Sequence, residues 1–336
     1  MSRDVVAAMT AYTLELREAE IKLNQNESAD DLPRQWKERA LVRIVERPWN
    51  RYPDFESVGL RSALAKAYGY ETENILVGNG SNELLAATVG AFVGPGTPVI
   101  LPKPTFALYE KLVTVAGGSV IPIAITPESG LLPLDAMLRA ATPDAVVIVC
   151  SPNNPTGGVL PSDGIDALLA TGATVLFDRA YGDFAEDTLP PLHDRLVTFS
   201  TFSKAWGLAA LRVGWLASTA STCREIRKVK LPYSLNIISE AIAAVALDDR
   251  ARRDARVAGI IAERERVYDA MRRIKGVAPC PSQANFIFFR VPEPRRTFDA
   301  LCERGVLIRE YADALRVSIG SPEENDRFLE ELQSCV

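Results

Sequence analysis

The residues that most clearly suit a chemical reaction, by type and by spacing, lie in segment 200–212, which reads STFSKAWGLAALR. Lys204 follows a predicted strand, and a lysine in a pocket near a strand end can lose its proton and attack an aldehyde. The hydroxyls of Thr201 and Ser203 and the guanidinium of Arg212 suit a phosphate group. We therefore interpret the segment as a lysine nucleophile beside a phosphate site. The alternative is that Lys204 is a solvated lysine on a surface helix.

A second candidate for anion binding is segment 78–83, which reads GNGSNE and joins a predicted strand to a predicted helix. The backbone amides of such a turn and the amino terminus of the helix attract a phosphate. Two further polar motifs are segment 151–157, which reads SPNNPTG, and segment 178–181, which reads DRAY. Taken alone, the first could be only a turn, and Asp178 and Tyr181 could be a helix cap and a packed aromatic.

Together these segments resemble, in content and order, the motifs of the class I and II aminotransferases. Segment 200–212 is similar to the family signature S-x-S-K-x-x-x-L-x-G-x-R, and the resemblance extends over nearly the whole chain. It implies an α/β protein with the aspartate aminotransferase-like fold of pyridoxal-phosphate-dependent transferases, in which a large, mostly parallel sheet domain accompanies a smaller α/β domain. It also implies that Lys204 holds pyridoxal 5′-phosphate as a Schiff base and, once freed, acts as general base and acid.

The resemblance implies roles for the other motif residues. Asn154 and Tyr181 would hydrogen-bond the phenolic oxygen of the cofactor, and Asp178 would keep its pyridine nitrogen protonated, which makes the ring an electron sink. Phe106 would stack on the ring, although any helix start can carry a buried aromatic. The cofactor phosphate would be bound by Gly80, Ser81, Asn82, Thr201, Ser203 and Arg212.

Within the family, the chain is most similar to the histidinol-phosphate aminotransferases, through segments 22–27 (KLNQNE), 51–54 (RYPD), 78–81 (GNGS) and 284–286 (ANF). This similarity implies amino-group transfer between L-histidinol phosphate and 2-oxoglutarate. It also implies a homodimer with shared active sites, because Tyr52 would reach the cofactor phosphate of the neighbouring subunit. A simple Tyr-Pro turn is the alternative for Tyr52.

Two arginines near the carboxyl terminus would bind the substrate. Arg316 matches the arginine that clamps a substrate carboxylate and would serve glutamate in the second half-reaction. Arg309 would bind the substrate phosphate, unless it is merely solvated. The chain departs from the subfamily at residues 28–31 (SADD), where relatives have Asn-Pro and an aromatic, and in its short segment 309–316. Three alternatives stay open: an aromatic or other amino-acid aminotransferase, a decarboxylase of phosphorylated amino acids, and an effector-sensing domain of a transcription regulator.

The elements that must position these residues alternate between β-branched runs and helical patterns, which predicts parallel strands joined by crossover helices. Ligands bind beyond the carboxyl ends of such strands, where the polar motifs fall. The predicted strands are 75–77, 98–101, 120–123, 146–149, 175–177 and 197–199, and the predicted helices between them are 82–92, 106–116 and 163–170. We expect an amino-terminal arm (1–44) that joins the small domain, a large cofactor-binding domain (45–275) and a small carboxyl-terminal domain (276–336).

The composition of the chain argues against several other classes of protein. A chain of 336 residues with 47% hydrophobic and 24% charged residues is typical of a globular protein. With a net charge of −5 and scattered basic residues, no nucleic-acid partner is expected, and a single histidine, His193, predicts no metal site. Acidic residues, Glu15 among them, interrupt the amino-terminal segment, so we expect neither a signal peptide nor a membrane span, and a cytoplasmic location.

Overall fold

The computed structural model describes residues 2–11, 17–186 and 188–336, so Glu15 lies outside the described residues. The α-helices are α1 (Asp4–Ala7), α2 (Arg34–Val45), α3 (Val58–Tyr68), α4 (Ser81–Phe92), α5 (Leu108–Ala116), α6 (Leu134–Ala140), α7 (Gly164–Ala170), α8 (Ala220–Arg227), α9 (Ile237–Leu247), α10 (Arg250–Met271), α11 (Pro294–Glu303) and α12 (Pro322–Cys335). The strands are β1 (Ile21–Lys22), β2 (Ile75–Asn79), β3 (Pro98–Lys103), β4 (Ser119–Ala124), β5 (Val146–Cys150), β6 (Thr174–Asp178), β7 (Leu196–Thr201), β8 (Val213–Ala217), β9 (Ala278–Pro279), β10 (Phe286–Arg290), β11 (Val306–Leu307), β12 (Arg309–Glu310) and β13 (Leu315–Ser318).

A sheet of seven strands, in the order β2-β8-β7-β6-β5-β3-β4, dominates the described part of the chain. Strand β8 runs antiparallel to both of its neighbours, β2 and β7, and the pairs from β7 to β4 are parallel. The six strands predicted from the β-branched runs all belong to this sheet, so that prediction is confirmed. Strand β8 was not predicted.

Helices cover both faces of the sheet, which explains why its central strands are apolar along their whole length. Every residue of β5, which reads VVIVC, is buried. One face packs against α4 and α5, and the other against α6 and α7 through Met137 and Leu168. The three helices predicted between strands correspond to α4, α5 and α7. Helices α2, α3 and α6 were not predicted.

A second, antiparallel sheet has the order β12-β13-β10-β9 and packs against α11 and α12 through an apolar cluster that includes Phe298 and Phe328. Strand β1 pairs in parallel with β11, so Ile21 lies beside Val306. The segment after β1 therefore runs next to β13, where Leu23 O accepts a hydrogen bond from Ser318 N. The domain boundaries at residues 45 and 276 stay a prediction.

The parallel strands bring the polar motifs to one edge. Asp178 ends β6, Thr201 ends β7, and segment 151–157 follows β5 directly. Because neighbouring parallel strands end at the same edge of a sheet, these side chains converge. None of the described helices combines the length and the apolar character that a membrane crossing needs.

Candidate active site

A cavity of about 620 Å³ lies at this edge of the sheet. Its volume falls within the range of roughly 300–1,000 Å³ that small-molecule sites occupy. The residues predicted from the sequence that line it are Ser81, Asn82, Phe106, Asn154, Asp178, Tyr181, Thr201, Ser203, Lys204, Arg212, Arg309 and Arg316.

Lys204 lies inside this cavity, three residues after the end of β7. Its Nζ donates hydrogen bonds to the backbone oxygens of Gln25, at 2.9 Å, and Asn26, at 3.0 Å. Burial, and then the positive charge of Arg316, lower the pKa of Lys204 from 10.5 to about 7. Near neutral pH, much of this lysine is therefore the uncharged amine that can attack a carbonyl.

Asp178 is buried at the end of β6. Its Oδ2 accepts a hydrogen bond from Tyr109 Oη at 2.8 Å, and its Oδ1 accepts one from the backbone N–H of Ala180 at 2.9 Å. Burial raises the pKa of Asp178, while these two hydrogen bonds act in the opposite direction. A cationic partner in the cavity would favour the ionised carboxylate further.

The turn at the start of α4, which is the candidate phosphate cradle, depends on two glycines. Gly80 has φ +80°, and a Cβ there would lie 2.7 Å from Nη2 of Arg212. Gly214 faces the same turn from β8, and a Cβ there would collide with the backbone of Ser81. The positive φ therefore favours glycine at position 80, and the close backbone of Ser81 requires glycine at position 214.

Hydroxyl groups complete this cradle. Thr201 Oγ1 lies 3.0 Å from Ser203 Oγ, which accepts a hydrogen bond from Arg212 Nη1 at 3.3 Å. Arg212 has φ 51°, in the left-handed region, and this conformation turns its guanidinium back toward Gly80. A helix amino terminus, two hydroxyls and a guanidinium thus form one anion-binding arrangement.

Arg316 is 4% exposed and connects three segments. Its Nη1 donates to Asn154 Oδ1 at 2.5 Å and to Tyr311 Oη at 3.2 Å, and its Nη2 donates to the backbone oxygen of Asn24 at 2.7 Å. Its Nε is buried and has no hydrogen-bond partner among the described residues. A buried cation with an unsatisfied donor favours an anionic ligand such as a carboxylate.

Tyr181 lies close to Lys204, with its ring centroid 5.7 Å from Nζ. The ring packs edge-on against Phe286, and Oη accepts a hydrogen bond from Asn26 Nδ2 at 2.9 Å. Burial raises the pKa of Tyr181 well above its usual value, so the phenol is protonated at neutral pH and can donate a hydrogen bond.

Three predicted residues occupy more peripheral positions. Phe106 lines the cavity and packs edge-on against Tyr109, with ring centroids 5.6 Å apart. Arg309 lines the cavity from β12. Tyr52 is 81% exposed and stacks on Tyr233, so the structure does not bring it to this chain's own cavity.

Several residues of the cavity were not predicted. Tyr109 lies three residues after Phe106, and this i, i+3 spacing in the helix predicted over 106–116 was the available signal that both rings face the same way. Asn26 belongs to segment 22–27, but nothing in that segment indicates which side chain points inward. Tyr311 depends on the pairing of β12 with β13, which the sequence does not specify.

These residues fit a planar, phosphorylated pyridine aldehyde such as pyridoxal 5′-phosphate. The cradle with no space for a Cβ at Gly80 suits a phosphate, and Lys204 supplies an amine with a lowered pKa. Asp178 supplies a carboxylate. Tyr181 supplies a hydroxyl that accepts a hydrogen bond from Asn26 and keeps its own proton for another acceptor. In the described part of the chain, no group of three or more His, Cys, Asp or Glu side chains could hold a metal ion.

Comparisons with known proteins agree with this chemistry. The family model described as aminotransferase class I and II matches residues 18–332. The histidinol-phosphate aminotransferase of Chlorobaculum parvum is 36% identical over 332 residues, which cover 95% of this chain and 93% of that protein. The crystal structure of histidinol-phosphate aminotransferase from Sinorhizobium meliloti in complex with pyridoxal-5′-phosphate has a TM-score of 0.87 at 26% identity, and covers 99% of this chain and 98% of its own. A double mutant of Thermus thermophilus aspartate aminotransferase shares the fold, with a TM-score of 0.85 at 22% identity and complete coverage of both chains.

Proposed function

This chain belongs to the class I and II aminotransferases, and from that premise we propose that it transfers an amino group between L-histidinol phosphate and 2-oxoglutarate. The observation that carries the proposal is one cavity that contains Lys204, with a pKa lowered to about 7, together with Arg309 and Arg316. A reactive amine and two cations suit an amino-group transfer whose substrates carry either a phosphate or two carboxylates. The relatives at 31–36% identity that are named histidinol-phosphate aminotransferases support this choice of substrate.

The enzyme uses pyridoxal 5′-phosphate, which supplies an electron sink when bound. We infer that Lys204 would hold the cofactor, and that its amine, when free, would move the proton at the substrate Cα. Asp178 would hold the proton on the pyridine nitrogen, and Tyr109 orients that carboxylate through the bond of 2.8 Å. Asn154 and Tyr181 would hydrogen-bond the phenolic oxygen, and Phe106 would cover the ring.

Substrate selection would depend on the two arginines. We propose that Arg316 clamps the α-carboxylate of glutamate, because its guanidinium is buried and held in place by Asn154, Tyr311 and the backbone of Asn24. Arg309 would bind the phosphate of histidinol phosphate and the second carboxylate of glutamate. One cation that serves two anions in this way accounts for two substrates of different shape in one cavity.

We also propose a homodimer with shared active sites. Trp49, Tyr52, Phe55, Leu231 and Tyr233 are exposed, and three of these rings pack against each other at centroid distances of 4.6 and 5.1 Å. An aromatic cluster of this kind on the surface marks a protein interface. Tyr52 projects from it, and we propose that it reaches the cofactor phosphate of the partner. A cytoplasmic location stays a prediction.

Mixed dimers test the shared site. Subunits with Lys204→Ala and subunits with Tyr52→Ala should each have low activity, whereas a hybrid dimer contains one site with both Lys204 and Tyr52 intact. Mixing the two variants after mild unfolding should therefore restore part of the activity. If the mixture stays as inactive as its components while the wild type regains activity after the same treatment, the proposal of shared sites is wrong.

The substrate proposal is tested by the visible absorption of the bound cofactor, recorded while one amino donor is added without any keto acid. Histidinol phosphate should bleach the yellow band, because its amino group moves to the cofactor. Histidinol, which lacks the phosphate, is the matched control and should bleach the band only at much higher concentration. A band that bleaches equally with both donors contradicts the role of Arg309, and a band that persists with histidinol phosphate contradicts the proposed substrate.

A second candidate is an aminotransferase for aromatic amino acids. The short connection between Arg309 and Arg316 places Tyr311 in the cavity wall, where it packs edge-on against Phe288 at a centroid distance of 5.7 Å. This aromatic wall suits a donor with a large apolar ring, such as phenylalanine. Bleaching of the cofactor band by phenylalanine at lower concentration than by histidinol phosphate would select this candidate.

A further inference from the structure

We propose that Asn26 is a positioning residue that controls how strongly Tyr181 donates its hydrogen bond to the phenolic oxygen of the cofactor. The inference rests on the proposed function, because it requires the cofactor to lie between Lys204 and Tyr181. Asn26 is 1% exposed and belongs to the segment that follows β1, far in sequence from Tyr181 and Lys204, which line the same cavity.

The geometry gives Asn26 a direct effect on Tyr181. Asn26 Nδ2 donates to Tyr181 Oη at 2.9 Å, and both side chains are buried. A tyrosine hydroxyl has one proton, so an oxygen that accepts from Asn26 keeps that proton for another acceptor. A donor bonded to the oxygen of a hydroxyl also polarises its O–H bond and strengthens the hydrogen bond that the hydroxyl donates.

Ser318 fixes which end of the Asn26 carboxamide faces Tyr181. Ser318 Oγ accepts a hydrogen bond from the backbone N–H of Asn26 at 2.8 Å and donates its proton to Asn26 Oδ1 at 3.0 Å. The carboxamide oxygen is therefore occupied by Ser318, and the amide group is left for Tyr181. A reversed carboxamide would direct a second donor at Ser318 and withdraw the proton of Tyr181 from the cavity.

The backbone of Asn26 contacts the catalytic lysine at the same time. Its carbonyl oxygen accepts hydrogen bonds from Lys204 Nζ at 3.0 Å and from Asn285 Nδ2 at 3.2 Å. Asn26 has φ 54°, in the left-handed region that asparagine tolerates better than most residues. One residue thus holds the amine of Lys204 by its backbone and the hydroxyl of Tyr181 by its side chain.

The consequence is a change in the acidity of the lysine-bound cofactor. A hydrogen bond to the phenolic oxygen stabilises the more negative, deprotonated form of the lysine-bound cofactor. Weakening that bond therefore raises the pH at which this form of the cofactor loses its proton, and the visible band reports that pH. Asn26→Gly removes the carboxamide but accommodates the positive φ and keeps the backbone carbonyl for Lys204. We expect it to raise the midpoint of the band's pH titration by about 0.5, which corresponds to about 0.7 kcal/mol at roughly 1.4 kcal/mol per pH unit.

The test is this titration in the wild type, Asn26→Gly, Tyr181→Phe and the double variant. Tyr181→Phe should raise the midpoint by more than Asn26→Gly does, and Asn26→Gly should add nothing in the Tyr181→Phe background, because the hydroxyl through which it acts is gone. An equal Asn26→Gly shift in both backgrounds, or no shift in either, overturns the inference.

Asn26→Asp provides a second variant that keeps the shape of the side chain. A carboxylate accepts the proton of Tyr181 instead of donating to its oxygen, so the midpoint should rise by more than in Asn26→Gly and the rise should shrink in the Tyr181→Phe background. A rise of the same size in both backgrounds contradicts the inference. A wild type that forms no visible band with pyridoxal phosphate would overturn the proposed function and this inference together, whereas a wild type that forms the band and is bleached by histidinol phosphate leaves the titration as a test of Asn26 alone.

Discussion

The pKa of Lys204 is a property of the folded cavity that can be moved in both directions by single substitutions. In the wild-type apoprotein, a pKa of about 7 leaves half of the Lys204 amines uncharged at pH 7, whereas a lysine with a pKa of 10.5 would be uncharged in roughly one molecule in 3,000. Lys204 should therefore react with an acylating reagent with a midpoint near pH 7. The reactivity should increase with pH, because only the deprotonated amine is a nucleophile.

Two substitutions should shift this midpoint in opposite directions. Arg316 lowers the pKa of Lys204 by its positive charge, so Arg316→Gln should move the midpoint from about 7 toward 10.5, without reaching it because burial is the larger cause. Glu27 raises the pKa, so Glu27→Gln should move the midpoint below that of the wild type. Arg212 is a smaller contributor than Arg316, and Arg212→Gln should cause a smaller rise.

The assay is competitive acetylation of the apoprotein over a range of pH, with each labelled lysine quantified by mass spectrometry. Lys66 is exposed on α3 and is labelled in the same sample, so it corrects for the pH dependence of the reagent itself. A wild-type midpoint close to 10.5 refutes the argument from burial. Shifts of the same sign in Arg316→Gln and Glu27→Gln refute the argument from neighbouring charges.

Three further changes have defined outcomes. Tyr109→Phe removes a hydrogen bond that lowers the pKa of Asp178, so that pKa should rise and pyridoxal phosphate should bind about tenfold more weakly in an equilibrium titration, whereas unchanged affinity would show that Asp178 needs no such support. Arg309→Ala should raise the KM for histidinol phosphate at least tenfold with a smaller effect on kcat, and an unchanged KM in steady-state assays would remove Arg309 from the phosphate site. Gly214→Ala should lower the free energy of unfolding by about 1–3 kcal/mol, because the new Cβ collides with the backbone of Ser81. Urea unfolding would measure this change, and an unaffected midpoint would mean that the cradle can move apart.

The sequence predicted the parallel part of the large sheet because its strands are buried on both faces and read as continuous apolar runs. Strand β8 was missed because its residues directly follow the lysine motif, and no turn signal separates Arg212 from Val213. Helices α2 and α3 were missed for a different reason. Their residues carry the same mixture of charged and apolar types as an exposed connection, and their burial depends on packing against α9 and β2.

The candidate site was predicted best where the residues are close in sequence. One segment predicts Lys204, Arg212 and the two hydroxyls of Thr201 and Ser203, and another predicts Asp178 and Tyr181. Contacts between distant segments could not be predicted, because spacing along the chain carries no information about them. The bond from Asn26 to Tyr181 and the bond from Arg316 to Asn154 are of this kind.

The pairing of β1 with β11 also constrains when the site can exist during synthesis. Residues 24–26 form part of the cavity, yet Asn26 is held by Ser318, and Asn24 accepts a hydrogen bond from Arg316. A ribosome must therefore translate the chain as far as β13 before the first residues of the site meet their partners. We expect a nascent chain that stops before β13 to lack a competent pocket, even though every strand of the large sheet has already emerged. Capture of the cofactor would then follow the synthesis of β13, so a shorter nascent chain would not compete for the cofactor.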